Sequence, residues 1–288
     1  MHEEDIQKWL EEAQKKKEAD SPHEAEQFYD RILSRIPDHE ETLIRLGILY
    51  VSTGRGPMAL KKLQGAQKEK PHSPGPYRAI ATIIRISGHL GLGERFFLNN
   101  LEKSGPAKPY LHLSLAEMYA AMGQPKELTE QLNILLQHPD IDPLSQGILW
   151  METGTDTGLR TLAEKHTGSI QKTLLGMASE ITSQWEDASK LYFEASRLQD
   201  PTWYALSALG ALWLSAGNVE HCQKYLKYAE EAAPNASEIQ ITRARMLAAQ
   251  GFNEDARLLL QRISESTGNF MRTKQIAKAL LGVLQPSP

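Results

Sequence analysis

The sequence predicts an all-α solenoid, a stack of helical hairpins, and three observations carry that prediction. Residue types recur at a fixed period of 34 positions, as in Pro37 and Pro71, Ala25 and Ala59, Tyr29 and Leu63, and Gly54 and Gly88. The second half repeats the period in three columns: Gly176, Gly210 and Ala244; Ser183, Gly217 and Gly251; Ala188, Cys222 and Ala256. Within each period the apolar residues fall at three- and four-residue spacing, the signature of a helix with one buried stripe. A fixed period in this range marks a repeat array, in which each unit leaves an apolar face for its neighbour.

Each element has a mechanical reason. The clearest unit runs from Thr42 to Pro71, with Leu43, Leu46, Gly47 and Tyr50, a turn at Gly54, then Ala59, Leu63 and Ala66. A second reads Leu206, Leu209, Gly210, Trp213, Gly217, Cys222, Leu226, Ala229 and Pro234. A small residue beside the stripe of the first helix lets the partner helix approach closely. The glycine after that helix supplies the positive φ that ends it, and the proline after the second helix blocks continuation.

That pattern closely resembles the tetratricopeptide repeat family, over nearly the whole chain from about residue 6 to 263. The resemblance implies a right-handed α-α superhelix of about eight hairpins with a C-terminal capping helix. The first hairpin carries Trp9, Ala13, Ala25, Tyr29 and Ile32; the third Tyr77, Ile80, Ala81, Ile84, Gly93 and Phe97; the fourth Leu115, Ala116, Tyr119, Gly123, Leu128 and Leu132. Between Gly123 and Ser183 lie 60 residues where two periods need 68, so a shortened hairpin is expected near Trp150, as a bend between two subarrays. The expected organisation is an N-terminal array over 1–140, the irregular hairpin over 141–168, and a C-terminal array with its cap over 169–288. The last helix is expected over 270–284.

Composition excludes several function classes. With 32 basic and 36 acidic residues the net charge is -4, and a nucleic-acid binder would carry a basic face to neutralise phosphates. The period of the RNA-reading pentatricopeptide repeats is close, but the acidic charge and the Leu-Gly-Tyr column favour the protein-binding family. No run approaches the roughly 20 apolar residues of a membrane helix, and the first thirty residues hold no secretory pattern, so a cytoplasmic location is expected. Cys222 is the single cysteine, expected as a small buried hydrophobe. The nine histidines, from His2 to His221, show no ligand spacing, so no metal and no cofactor are expected. The segment from Gly88 to Gly93, GHLGLG, lacks the strand and the lysine-serine ending of a phosphate loop, and its glycines fit the repeat turn. No nucleophile elbow, paired-acid motif or kinase signature is present, and the chain is not expected to be an enzyme.

The resemblance implies instead that the first helices line a concave groove that holds a partner. Carried over residue by residue, the groove set is Ile44, Ile48 and Val51; Arg78, Thr82 and Arg85; Leu113, Glu117 and Ala120; Thr173, Met177 and Glu180; Tyr204, Ser207, Ala211 and Leu214; and Ile241 and Arg245. Arg78 and Arg85 are seven apart, about two helical turns, so they share a face and could hold a carboxylate. Co-chaperones of this family clamp a carboxyl terminus with asparagine and lysine, but the matching positions here are Ile44, Ile48, Ser207 and Ala211. The groove is therefore expected to take an amphipathic helix or an apolar peptide. The leading functional reading is a non-enzymatic scaffold or adaptor, by analogy in a bacterial envelope, secretion or polysaccharide-export assembly. The alternatives are a peptide-sensing regulatory domain and the non-catalytic repeat part of a larger enzyme.

Overall fold

The computed structural model describes residues 3–284; His2 lies outside them. Among the described residues there are seventeen α-helices and no strand. They form eight antiparallel hairpins and a terminal helix, and the chain divides into two compact units, Met1–Met118 and Tyr119–Pro288.

The first unit contains α1 (Glu3–Glu18), α2 (Pro22–Leu33), α3 (Glu40–Ser52), α4 (Gly56–Glu69), α5 (Pro74–Ile86) and α6 (Leu90–Asn100). Two single 3₁₀ turns, Leu101–Lys103 and Gly105–Ala107, lead into α7 (Lys108–Met122), within which the division falls. Prolines sit in the first turn of α2, α4 and α5, where a missing N–H costs nothing. His39 caps α3, its ring nitrogen accepting the Thr42 N–H at 3.3 Å. The expected columns are core at Ala13, Ala25, Tyr29, Leu43, Leu46, Ala59, Leu63, Tyr77, Ile80 and Phe97, all essentially inaccessible, but in α1 the buried residue is Leu10 and not the expected Trp9, whose half-buried ring packs under the Arg31 and Arg35 guanidiniums. A methyl group on Gly47 would come within 2.6 Å of Ile83, which is why α3 has a glycine at this position. Gly88 takes φ 72° in the α5–α6 turn, whereas Gly91 and Gly93 lie in the first turn of α6, Gly93 against Ile84, so only the first glycine of GHLGLG serves the repeat turn.

The second unit follows with α8 (Pro125–Leu135), α9 (Pro143–Thr153), α10 (Thr157–Ala163), α11 (Gly168–Ile181), α12 (Trp185–Ser196), α13 (Trp203–Ser215), α14 (Val219–Ala232), α15 (Ser237–Ala249), α16 (Asn253–Glu265) and α17 (Met271–Leu284). The shortened hairpin is α9–α10, with a second helix of only seven residues. It lies inside this unit, and the division of the chain falls before it, after Met118. The reason is packing: Trp150 is 4% exposed and its indole ring covers Gly158, whose hydrogen a methyl could not replace without collision. Gly147 is likewise pressed against Leu174 of α11. A lost turn of helix is thus compensated by close approach.

Turn chemistry explains one departure from the glycine column. Gly217 and Gly251 take φ of 78° and 88°, and Ser183 holds the equivalent place with φ 58°. A side chain in this left-handed region costs about 1–2 kcal/mol, which glycine avoids at some cost in chain entropy. Ser183→Gly is therefore expected to raise stability by about 0.5–1 kcal/mol, read as a higher urea midpoint. Cys222 is fully buried and its thiol is pushed up by burial, as suits a packing residue.

Candidate functional site

In the first unit, Ile44, Ile48 and Val51 are half-buried on α3, while Leu113 and Glu117 are buried on α7. Arg78 and Arg85 do share a face of α5, and the carboxylate between them belongs to this chain. Glu117 Oε1 accepts from Arg78 Nη1 at 2.9 Å, and its Oε2 lies 3.8 Å from Arg85 Nε. Arg78 also lies 4.0 Å from Glu40. Thr82 donates its hydroxyl to the Arg78 carbonyl at 3.0 Å, a bond within its own helix. Burial pulls the Glu117 carboxyl up, but the two guanidiniums outweigh it and hold the group below the ordinary carboxylate range. Charges expected to receive a partner are here engaged in an internal ion-pair network.

In the second unit, Met177 and Thr173 are fully buried, and Tyr204 is 5% exposed with its hydroxyl directed at Met151 Sδ, 3.1 Å away. Leu214 and Arg245 are half-buried, and the Arg245 guanidinium donates to Ser215 Oγ at 2.9 Å. Glu180, Tyr204, Ser207, Ala211, Ile241 and Arg245, all expected on the groove, line one cavity of about 500 Å³. Its floor is largely apolar, and Trp185, 57% exposed, stands at its edge. A second cavity of about 250 Å³, lined by Leu214, Ala248, Leu280 and Leu284, shares Arg245 with the first. Both are bordered by α13, α15 and α17.

The remaining wall comes from α17, which sequence reasoning cast only as a cap. Its later half does cap, with Ala277, Leu280, Leu281 and Leu284 packed on Ile241, Ala244, Leu260 and Ile263. Its first turn does something else. Met271 lies over Gly123 in the turn after α7. The Arg272 backbone N–H donates to Glu152 Oε2 of α9 at 2.8 Å, and its guanidinium donates to Glu180 Oε1 of α11, also at 2.8 Å. Glu180 accepts in addition from the Tyr192 hydroxyl at 2.9 Å.

Electrostatics here follow from burial. Burial opposes the Arg272 charge, but Tyr204, Glu180 and Glu152 together outweigh it and hold the guanidinium above its ordinary pKa. Burial pushes the Glu152 carboxyl up to about 7, against the lowering effect of the Arg272 N–H and charge, and pushes Glu238 up as well. Tyr192 and Tyr204 are raised well above the ordinary tyrosine value by the same cause. Glu152, Glu238, Trp185 and Arg272 were missed from sequence. The one available signal was the start of the last helix, Met-Arg-Thr-Lys, where cations oppose the helix dipole and so need an acidic partner.

Among the described residues no group of three or more His, Cys, Asp or Glu is placed to hold a metal ion, and no helix is long and apolar enough to cross a membrane. Paired helices, a 34-residue column register and turn glycines together define a tetratricopeptide-type repeat fold. No family model and no curated protein sequence matches the chain. Solved structures do. One is a tetratricopeptide repeat protein from Parabacteroides merdae ATCC 43184, at 15% identity over 85% of this chain and 98% of that one, with TM-score 0.48. A second is the APC/C hetero-tetramer Cut9-Hcn1, at 13% identity over 90% of this chain and 45% of that one, TM-score 0.40. A third is a monomeric mutant of IFIT1 with the capped m7Gppp-AAAA, at 16% identity over 92% of this chain and 59% of that one, TM-score 0.40. These likenesses concern the fold alone.

Proposed function

We propose that this protein is a non-enzymatic scaffold or adaptor that holds a protein partner in the groove of its second unit, as one component of a larger assembly. One observation carries the reading: two largely apolar cavities of about 500 and 250 Å³ lie next to each other, with Arg245 lining both. A compact small molecule needs one enclosed pocket, whereas an amphipathic helix or apolar peptide presents anchors at intervals, which is what two adjacent cavities fit. The first unit contributes less, because its inner arginines are already neutralised by Glu117.

A photo-crosslinking amino acid at Ala211 in the cavity, compared with one at Tyr228 on an exposed face 47% open to solvent, tests this. The expected result in the native host is a discrete crosslinked protein from position 211 that is absent from position 228 and lost in Ala208→Arg. Equal or no crosslinking from the two positions would remove the groove from consideration.

A further inference from the structure

Part of the wall of the second unit's larger cavity is supplied by the last helix of the chain. From Met271 to Leu284, α17 is about 21 Å long at 1.5 Å per residue. Its two ends are held by different chemistry. Leu280, Leu281 and Leu284 sit in an apolar cluster against α15 and α16, with no charge involved. The first turn is held across the inner helices by polar bonds: Arg272 N–H to Glu152 and the Arg272 guanidinium to Glu180, with Met271 resting on Gly123. Between the ends, Ile276 closes one side of the 500 Å³ cavity, and Arg272 belongs to its lining. A cap needs only the apolar half. The polar half lies in the channel a partner would use.

We propose that α17 is a tethered occupant of this groove: its first turn is a latch that must leave before a partner fills the groove along its full length, while its apolar end stays docked as the cap. The chain from Ser266 to Phe270 that joins α16 to α17 contains Gly268 and is not helical, so the latch has a joint at its start. Asn269 bridges that joint, donating to the Ile263 carbonyl at 2.9 Å and accepting from Ser237 Oγ at 2.7 Å.

The latch is expected to respond to pH. Glu152 faces Arg272 and Lys274 from α17 and Glu238 from α15; Glu180 and Tyr204 face Arg272 from the other side. With the latch closed the Glu152 carboxyl titrates near 7, and once it is solvated it returns to the ordinary range near 4.3. The closed state therefore binds the extra proton. Its contribution is full below the ordinary carboxylate value and is lost as pH rises through about 7, so the latch loosens in mild alkali. Glu238, raised by burial, acts in the same direction.

Hydrogen exchange on the full chain tests the proposal. Arg272→Glu is expected to speed exchange of the amides of 272–276 at least about tenfold, the equivalent of 1.4 kcal/mol, while 280–284 remains as in the parent. Glu180→Gln, which removes the charge from the opposite wall, gives the same pattern more weakly and covers the case in which Arg272→Glu fails to fold. Lys278→Ala, an exposed change on the same helix, leaves both segments unaltered. In the parent, going from pH 6 to pH 8 raises exchange of 272–276 relative to 280–284. The apolar dye anilinonaphthalene sulfonate should bind the opened variants several-fold more than the parent, an increase removed by adding Ala211→Arg. Unchanged protection of 272–276 in both latch variants, or loss of protection equal in the two segments, overturns the latch. The proposal rests on the groove reading for its biological use but not for its test. Exchange reads α17 alone, so the latch can fail while Ala211 crosslinks a partner, and the reverse.

Discussion

Glu117→Ala is expected to lower stability by about 3 kcal/mol or more, measured as a fall in urea midpoint at pH 7. The Glu117 side chain is 6% exposed, and those of Arg78 and Arg85 are 14% and 22% exposed. Removing the shared carboxylate leaves two poorly hydrated guanidiniums facing each other, which costs more than the pair contributed when intact. Glu117→Gln keeps the shape and one acceptor and should lose less. The pH dependence follows from the depressed pKa of Glu117. A carboxylate held below its ordinary value contributes stability that is present above the ordinary range near 4.3 and lost as pH falls through the folded value. The acid limb of a stability profile should therefore be steeper in the parent than in Glu117→Ala, and parallel limbs would show the carboxylate to be uncharged in the fold.

Gly75→Ala is expected to cost about 2 kcal/mol or more, although alanine is the better helix former. Gly75 lies in the first turn of α5 between Pro74 and Pro76, and a methyl there would collide with the backbone carbonyl of Asp38, before α3. A backbone obstacle cannot swing aside as a side chain can, so either the turn at Asp38 or the start of α5 must shift. Gly210→Ala is the matched control. Its new methyl would stand 3.4 Å from the Cys222 carbonyl oxygen, within ordinary contact, and the substitution should cause no loss. Thermal melting of the two variants side by side decides it; equal melting would mean that the α3–α5 approach is looser than the structure has it.

These cases show where sequence reading reached and where it stopped. The hairpins and their order were legible because their causes are local. A stripe at three- and four-residue spacing, a left-handed turn residue and a proline after the second helix act within one period, and Gly54, Gly88, Gly123, Gly217 and Gly251 all take positive φ as that requires. Even the shortened hairpin was visible as missing residues, though its tight closure by Trp150 over Gly158 was not. A set of candidate positions was legible, and six of them line one cavity. Their state was not.

By itself, then, the sequence determined an all-α array of eight hairpins with a terminal helix, its turns and its core columns. Only the tertiary structure decided what the helix faces meet. Arg78 meets Glu117 across 39 positions, and Arg272 meets Glu180 across 92 and Glu152 across 120. The physical reason is that helix formation depends on neighbours three and four residues away, whereas an ion pair depends on where separate helices come to rest. Charge at a single position carries no record of its partner. The inner arginines therefore read as vacancies for a ligand until Glu117 was placed between them, and the last helix read as a plain cap until its first turn was found inside the groove.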